Sequence, residues 1–465
     1  MNAAVAAGHP ATATAGVEIL AAGGTAADAA VGAALVSCVA ETVMTGLLGG
    51  GHAIYFDAAS RTVRNLDCFC AVPGLGAAPR EPELVHMEVP FGAELVHYAV
   101  GPASCAVPGV PAGLGALWEA HGRLPWRDLV QPALRVARDG VEMPPAHVAC
   151  LVMLEPVMTL REGSRIYAPG GTLLRTGDRL EQPGLVRALE VLADEGAASA
   201  YRGTIAEALL ALVGERGGLV TAADLAAYGA TWSEPVEARW LGRDVYTRGG
   251  LSGVPGTLAS FPRLRGLSAA ERVVALVEAL DHAGGPETHT TNLVAVDADG
   301  SACVLTTSLG LGSGDWLPGF DLHLNSMLGE TDLLRGPLEP GLRMQSMMAP
   351  TIVLDADGRL ELAIGAAGGT RLRTALLTAA AGILDEGLSA QEAVDRPRVH
   401  PAGPVVNAEP GVDEDGLERL AASGRTVRRW PERHHYFGGV SALGRSGAAA
   451  DPRRSGAALA LPSAG

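Results

Sequence analysis

One turn occurs twice in this chain, and it restricts the fold more than any other feature. Asp297-Ala298-Asp299-Gly300 and Asp355-Ala356-Asp357-Gly358 each join two apolar segments rich in β-branched residues. Such a turn between two apolar runs predicts a β-hairpin. The first hairpin is read as Thr290 to Val296 and Ser301 to Ser308, the second as Thr351 to Leu354 and Arg359 to Ile364. Symmetrical closure of the first places Thr290 beside Thr307 and Ser308. The second ends in Gly365-Ala366-Ala367-Gly368-Gly369 and leads into a helix from about Thr370. Helical patterns lie before and after these hairpins, around Gly113 to His121, Trp126 to Asp139, Pro183 to Asp194 and Thr204 to Arg216. Stacked antiparallel sheets between helical layers are the architecture this order predicts.

Nearer the N-terminus, Ala13 to Ala40 reads as small-residue helices broken at Gly23-Gly24, with Thr25 as N-cap and Asp28 in the first turn. Gly49-Gly50-Gly51 opens a strand, His52 to Asp57, whose hairpin partner is Arg61 to Asp67. Proline and glycine between Leu251 and Leu264 mark a loop.

Composition excludes several classes of function. The net charge is −16, and all 35 basic residues are arginine. Phosphate binding needs a concentrated positive face, so nucleic acid is not an expected partner. Arg425, Arg428, Arg429 and Arg433 are read as a solvated edge. No apolar run is long enough to span a bilayer, and the small-residue stretch Ala29 to Ala40 reads as a buried helix. No basic region followed by a strong apolar stretch opens the chain, so no signal peptide and a cytoplasmic setting are expected. The six cysteines (Cys38, Cys68, Cys70, Cys105, Cys150, Cys303) show no zinc spacing and fit a reduced compartment. No metal or organic cofactor is expected.

A series of motifs then appears in order: His9-Pro10 to Asp28-Ala29-Ala30, Leu48-Gly49-Gly50-Gly51, Ala106-Val107-Pro108-Gly109, Ala137-Arg138-Asp139-Gly140, Tyr201-Arg202-Gly203-Thr204, Gly217-Gly218-Leu219-Val220-Thr221, Thr290-Thr291, Met348-Ala349-Pro350-Thr351, Gly368-Gly369-Thr370-Arg371 and Asp451-Pro452-Arg453. Together they resemble the γ-glutamyltransferase family of N-terminal-nucleophile hydrolases over nearly the whole chain. The resemblance implies an α+β fold, a four-layer αββα sandwich. It implies a precursor that cuts itself between His289 and Thr290 into residues 1–289 and 290–465, which stay together as an αβ unit in one αββα domain. A small-molecule amide is the implied substrate; the sequence sets no higher oligomer.

The chemistry explains the residue types. A threonine hydroxyl needs a base to be nucleophilic, and an N-terminal threonine carries one in its own α-amine, with a pKa near ~8 in model compounds. Ser308 lies where the family has a threonine that hydrogen-bonds the nucleophile. Gly368 and Gly369 resemble its oxyanion hole, where backbone N–H groups can approach a negative oxygen closely. Asn325, Glu330 and Ser346 fall in its substrate-binding segments; Glu330 stands where an aspartate holds the substrate α-amino group, and Gly310 where an asparagine is expected. Two positions depart. Phe69 takes the place of an arginine that clamps the substrate α-carboxylate, and Met347 replaces the second serine of a pair. Only Arg265 to Glu287 connects the Pro/Gly loop to Thr290, so part of a lobe that walls the cleft is missing. The resemblance thus implies acyl transfer or hydrolysis through an acyl-Thr290 ester, on a γ-glutamyl or related amino-acid-like group. Two alternatives stand beside it: recruitment to a different acyl substrate in specialised metabolism, and an inactive relative that keeps the fold as a binding protein.

Overall fold

The computed structural model describes residues 2–78, 81–91, 94–281 and 290–462. Two antiparallel sheets dominate it. The first has seven strands in the order Ala457–Ala460, Ala4–Ala7, Thr291–Val296, Ala302–Ser308, Gly50–Asp57, Thr62–Cys68 and Thr231–Ser233. The second has six: Gly447–Ala450, Gly439–Gly444, Leu360–Ala367, Thr351–Leu354, Arg243–Thr247 and Val236–Trp240.

Alternation along the strands explains how the layers stack. Successive side chains of a strand point to opposite faces. Val294, Val296, Ala302 and Val304 enter a core shared with Ile352, Leu354 and Ala363 of the second sheet. Their neighbours Leu293, Ala295, Cys303 and Leu305 enter a different core, with the helices Pro10–Ala21 and Ala26–Ala40. The far face of the second sheet packs on the helix Arg371–Leu384 through Ile364, Leu376 and Leu377. The resulting order is helix, sheet, sheet, helix, the αββα sandwich expected from the sequence. Strands buried on both faces carry apolar residues on both, which is why the segments flanking the Asp-Ala-Asp-Gly turns, such as Leu293 to Val296 and Ala302 to Leu305, are continuously hydrophobic.

The turns themselves close as their residues dictate. Asp297 Oδ1 accepts the backbone N–H groups of Asp299 and Ser301, and Asp355 Oδ1 those of Asp357 and Arg359. Thr25 caps its helix in a reciprocal box with Asp28. Two expectations change. The presumed loop between Leu251 and Leu264 contains the helix Val254–Ser260, which starts with Pro255 in its first turn, a position that tolerates proline. The glycine-rich run also divides: Gly365 to Ala367 remain in the strand, and only Gly368 and Gly369 form the turn. Gly365 is small because the sheets meet there; a Cβ would lie 2.4 Å from Asn292 Nδ2. All six cysteines are free and buried. No described helix is long and apolar enough to cross a membrane.

Candidate active site

Thr291 pairs with Thr307 across the first hairpin, and the register carries on to set Thr290 opposite Ser308. Alternation puts both of these on the face toward the second sheet, while Thr291 faces the helices. At the same end of the sandwich, the Leu360–Ala367 strand delivers Gly368 (φ +126°) and Gly369 (φ +58°) to the start of the Arg371–Leu384 helix. Positive φ is adopted most readily by glycine, and a Cβ on Gly368 would sit 2.8 Å from Gly438 Cα.

A narrow cleft opens at this point. Thr290, Ser308 and Gly369 line it. Phe69, Glu330, Ser346 and Met347 line it too, with Met327, Leu333, Met348 and Leu372 completing the lining. Seven of the residues singled out in the sequence thus converge from distant parts of the chain. Asn325 does not line the cleft. It is fully buried behind it, where Nδ2 donates to the carbonyls of Leu48 (2.8 Å) and Ala106 (2.9 Å) and Oδ1 accepts from Ala106 N (3.0 Å). It staples the glycine-rich turn to the segment that carries Glu330. Gly368 shapes the turn without lining the cleft. His289 lies outside the described residues.

The electrostatics of the cleft are unusual for a charged substrate. Glu330 is 1% exposed, and neither carboxyl oxygen has a side-chain partner among the described residues. Burial, reinforced by the nearby Asp332, holds its acid well above the ordinary carboxylate range, against a smaller pull from the Leu311 backbone. Gly310 (φ +69°) gives it space: a Cβ there would lie 2.1 Å from Glu330 Oε1. Phe69 is 1% exposed and stacks on His52 with ring centroids 5.5 Å apart. His52 is likewise buried, which holds its ring well below its usual pKa. Phe69's own backbone is fixed by Asp67, Tyr228 and Arg343. Ser308 Oγ accepts the Gly310 N–H at 2.9 Å, and Ser346 Oγ accepts that of Met348 at 3.2 Å.

A roomier groove lies elsewhere, beside the hairpin turns at the opposite end of the sheets. It holds none of the candidate residues, and its Arg61, Arg359 and Arg445 are already engaged with Asp357 and Asp355. Chemistry rather than size identifies the site.

With this geometry established, the relatives can be compared. A family model described as gamma-glutamyltranspeptidase matches residues 12–285 and 268–461. The chain belongs to the gamma-glutamyltranspeptidase family. Similar family members include an acylase ACY 1 proenzyme of Pseudomonas sp. (strain V22), 27% identical over 94% of this chain and 88% of that protein. Glutathione hydrolase proenzyme 2 of Schizosaccharomyces pombe is 26% identical over 98% of this chain and 86% of its own. The Escherichia coli (strain K12) glutathione hydrolase proenzyme is 28% identical over 89% and 83% respectively. Among solved structures, cephalosporin acylase from Bacillus halodurans superimposes with a TM-score of 0.81 at 22% identity, covering 99% of this chain and 96% of that one. That likeness confirms the fold. Gamma-glutamyltranspeptidases are enzymes, and the family assigned here is the one the motif series implied.

Sequence reading missed Glu41. It stands at the end of a long run of small apolar residues, and a lone carboxylate closing such a run was the signal available.

Proposed function

We propose that the protein is a self-processing threonine hydrolase that forms an acyl ester on Thr290. The supporting observation is the placement of Thr290, buried at the head of its strand in a cleft that Ser308 and Gly369 also line. In maturation, Thr290 Oγ attacks the His289 carbonyl carbon. The C–N bond to Thr290 breaks, its nitrogen takes the proton, and an ester forms; water then releases residue 289 as a carboxylate. The freed α-amine is the base for the next reaction. It accepts the Thr290 hydroxyl proton as Oγ attacks a substrate amide, and returns that proton to the departing amine. Water or a second amine then takes the acyl group. Backbone N–H groups at Gly368-Gly369 face the developing oxyanion, aided by the N-terminus of the following helix. Ser308, whose oxygen is already an acceptor for Gly310, donates toward Thr290.

The acyl group is a γ-glutamyl or related amino-acid-like unit on the family pattern. A different acyl group is favoured by two residues of the cleft: Phe69 and Met347 offer no donor where a carboxylate would lie, and desolvating that charge without a partner disfavours binding. Mass spectrometry of purified protein tests the mechanism. The expected result is a fragment beginning at Thr290, and a Thr290→Ala chain that stays whole. Fully active wild-type protein that remains a single chain would refute it.

A further inference from the structure

We infer that Glu41 is a positioning residue for Thr290, gripping the start of the nucleophile strand from behind the sheet. The inference rests on Thr290 being the nucleophile. The Thr291–Val296 strand has a partner along its whole length on one side, beginning with Thr291↔Thr307. On the other side its pairing with Ala4–Ala7 ends at Ala7↔Leu293. The N-terminal chain leaves the sheet there, through Gly8 and His9, to enter the helix at Pro10. Thr291 and Asn292 therefore have no strand beside them on that edge.

The Glu41 carboxyl group meets this strand start on its helix face. It caps the helix Ala26–Ala40 and is completely buried. Oε2 accepts the Thr291 hydroxyl, and Oε1 accepts the Thr12 hydroxyl at 2.7 Å. Gly8 leaves room for this arrangement: a Cβ would lie 2.5 Å from Glu41 Oε2 and 2.9 Å from Thr291 Oγ1. Thr290 and Thr291 point to opposite faces of the same strand. Fixing the Thr291 side chain on the helix face therefore fixes the direction of Thr290 on the cleft face. A small cavity with Thr290, Thr291, Met44 and the buried Arg454 adjoins the contact. Once the chain is cut, Thr290 is a strand end, and a strand end frays unless something holds it.

The grip is sensitive to protonation. Burial pushes the Glu41 acid up to about 7, against the two hydroxyl bonds and the attraction of Arg454. Cys38 of the same helix faces it and has its thiol pushed up to about 12. His147 lies near Arg454 and packs on His9 with ring centroids 5.3 Å apart, and both are held below their usual value by burial. Ionised Glu41 accepts both hydroxyls with charge assistance; protonated Glu41 holds them only through weaker neutral bonds. The grip is expected to strengthen as pH rises through about 7 and to weaken below it.

The test uses full-length protein carrying Glu41→Gln, Thr291→Val, both together, or Thr291→Ser, read by fragment formation and by kcat and KM against pH. Thr291→Val replaces hydroxyl by methyl at nearly constant shape, so it carries the test if Glu41→Gln does not fold. Either single change is expected to slow maturation or lower kcat about 10-fold, with KM within about 2-fold, the size of one charge-assisted hydrogen bond. Glu41→Gln should also flatten the acid limb of kcat near pH 7. The double variant should be no worse than the worse single, and Thr291→Ser should restore wild-type behaviour. Unchanged kcat and acid limb in both singles, or multiplicative losses in the double, would overturn the inference. Such a failure would leave the Thr290→Ala processing result standing, so the two readings fail separately.

Discussion

Gly310 and Glu330 make a coupled pair, and the coupling can be measured. The family resemblance implies asparagine and aspartate at these two places, where this chain has glycine and glutamate. The structure shows why the changes belong together. A Cβ on Gly310 would be 2.1 Å from Glu330 Oε1 and 2.7 Å from Ser326 Oγ, far inside contact distance. Gly310→Asn must therefore push the buried carboxyl out of its seat. Asparagine tolerates the left-handed backbone at φ +69°, so backbone strain is a small part of the cost, and overpacking is the larger part at ~1–3 kcal/mol. Glu330→Asp alone removes one buried methylene, about 1 kcal/mol. Made together, the changes should relieve one another, with a coupling of ~1–3 kcal/mol, or roughly 5- to 150-fold. The assay is a double-mutant cycle in KM for a γ-glutamyl anilide, with urea denaturation of the same four proteins. Additivity within ~0.5 kcal/mol in both measurements would show that the two residues do not share this space.

Ser308→Ala should cost ~10-fold or more in kcat without unfolding the protein, since it removes a hydrogen bond beside the nucleophile; unchanged maturation and turnover would show that the Thr290–Ser308 pairing has no role. Phe69→Arg is harsher than the sequence implies. Phe69 is packed on His52, so urea denaturation should show a loss of ~3 kcal/mol or more, while the folded enzyme shifts its preference toward a γ-glutamyl anilide over the corresponding α-amide. A wild type that already prefers the free carboxylate strongly would mean that another residue supplies the clamp.

The parts of this molecule legible in the sequence are those written locally. Both Asp-Ala-Asp-Gly turns, the Thr25–Asp28 capping box and the helix Trp126–Asp139 follow from neighbours a few residues apart. Hairpin register then carries Thr290 to Ser308 with no further information. What escaped depends on distant partners. Ala4–Ala7 is too short and too small-sided to signal a strand, yet it lies inside the first sheet. The Val254–Ser260 helix was hidden by its own proline and glycines. Asn325 reads as a substrate ligand until its five hydrogen bonds to protein are seen. Glu41 acquires meaning only when Thr291, 250 positions later, is folded against it.

The strand order has a consequence for the life of the protein. Ala4–Ala7 is threaded between Ala457–Ala460 and Thr291–Val296, while Gly50–Asp57 continues the same sheet beyond Ala302–Ser308. Segments from either side of residue 290 are woven together rather than docked. A cut before Thr290 would not loosen this weave, but it would turn refolding from a unimolecular event into an encounter between two fragments, each lacking half of its sheet. Assembly would then be a single opportunity, taken while the chain is whole. Afterwards the working lifetime of the enzyme would be set by how slowly it opens, and not by an equilibrium it could return to.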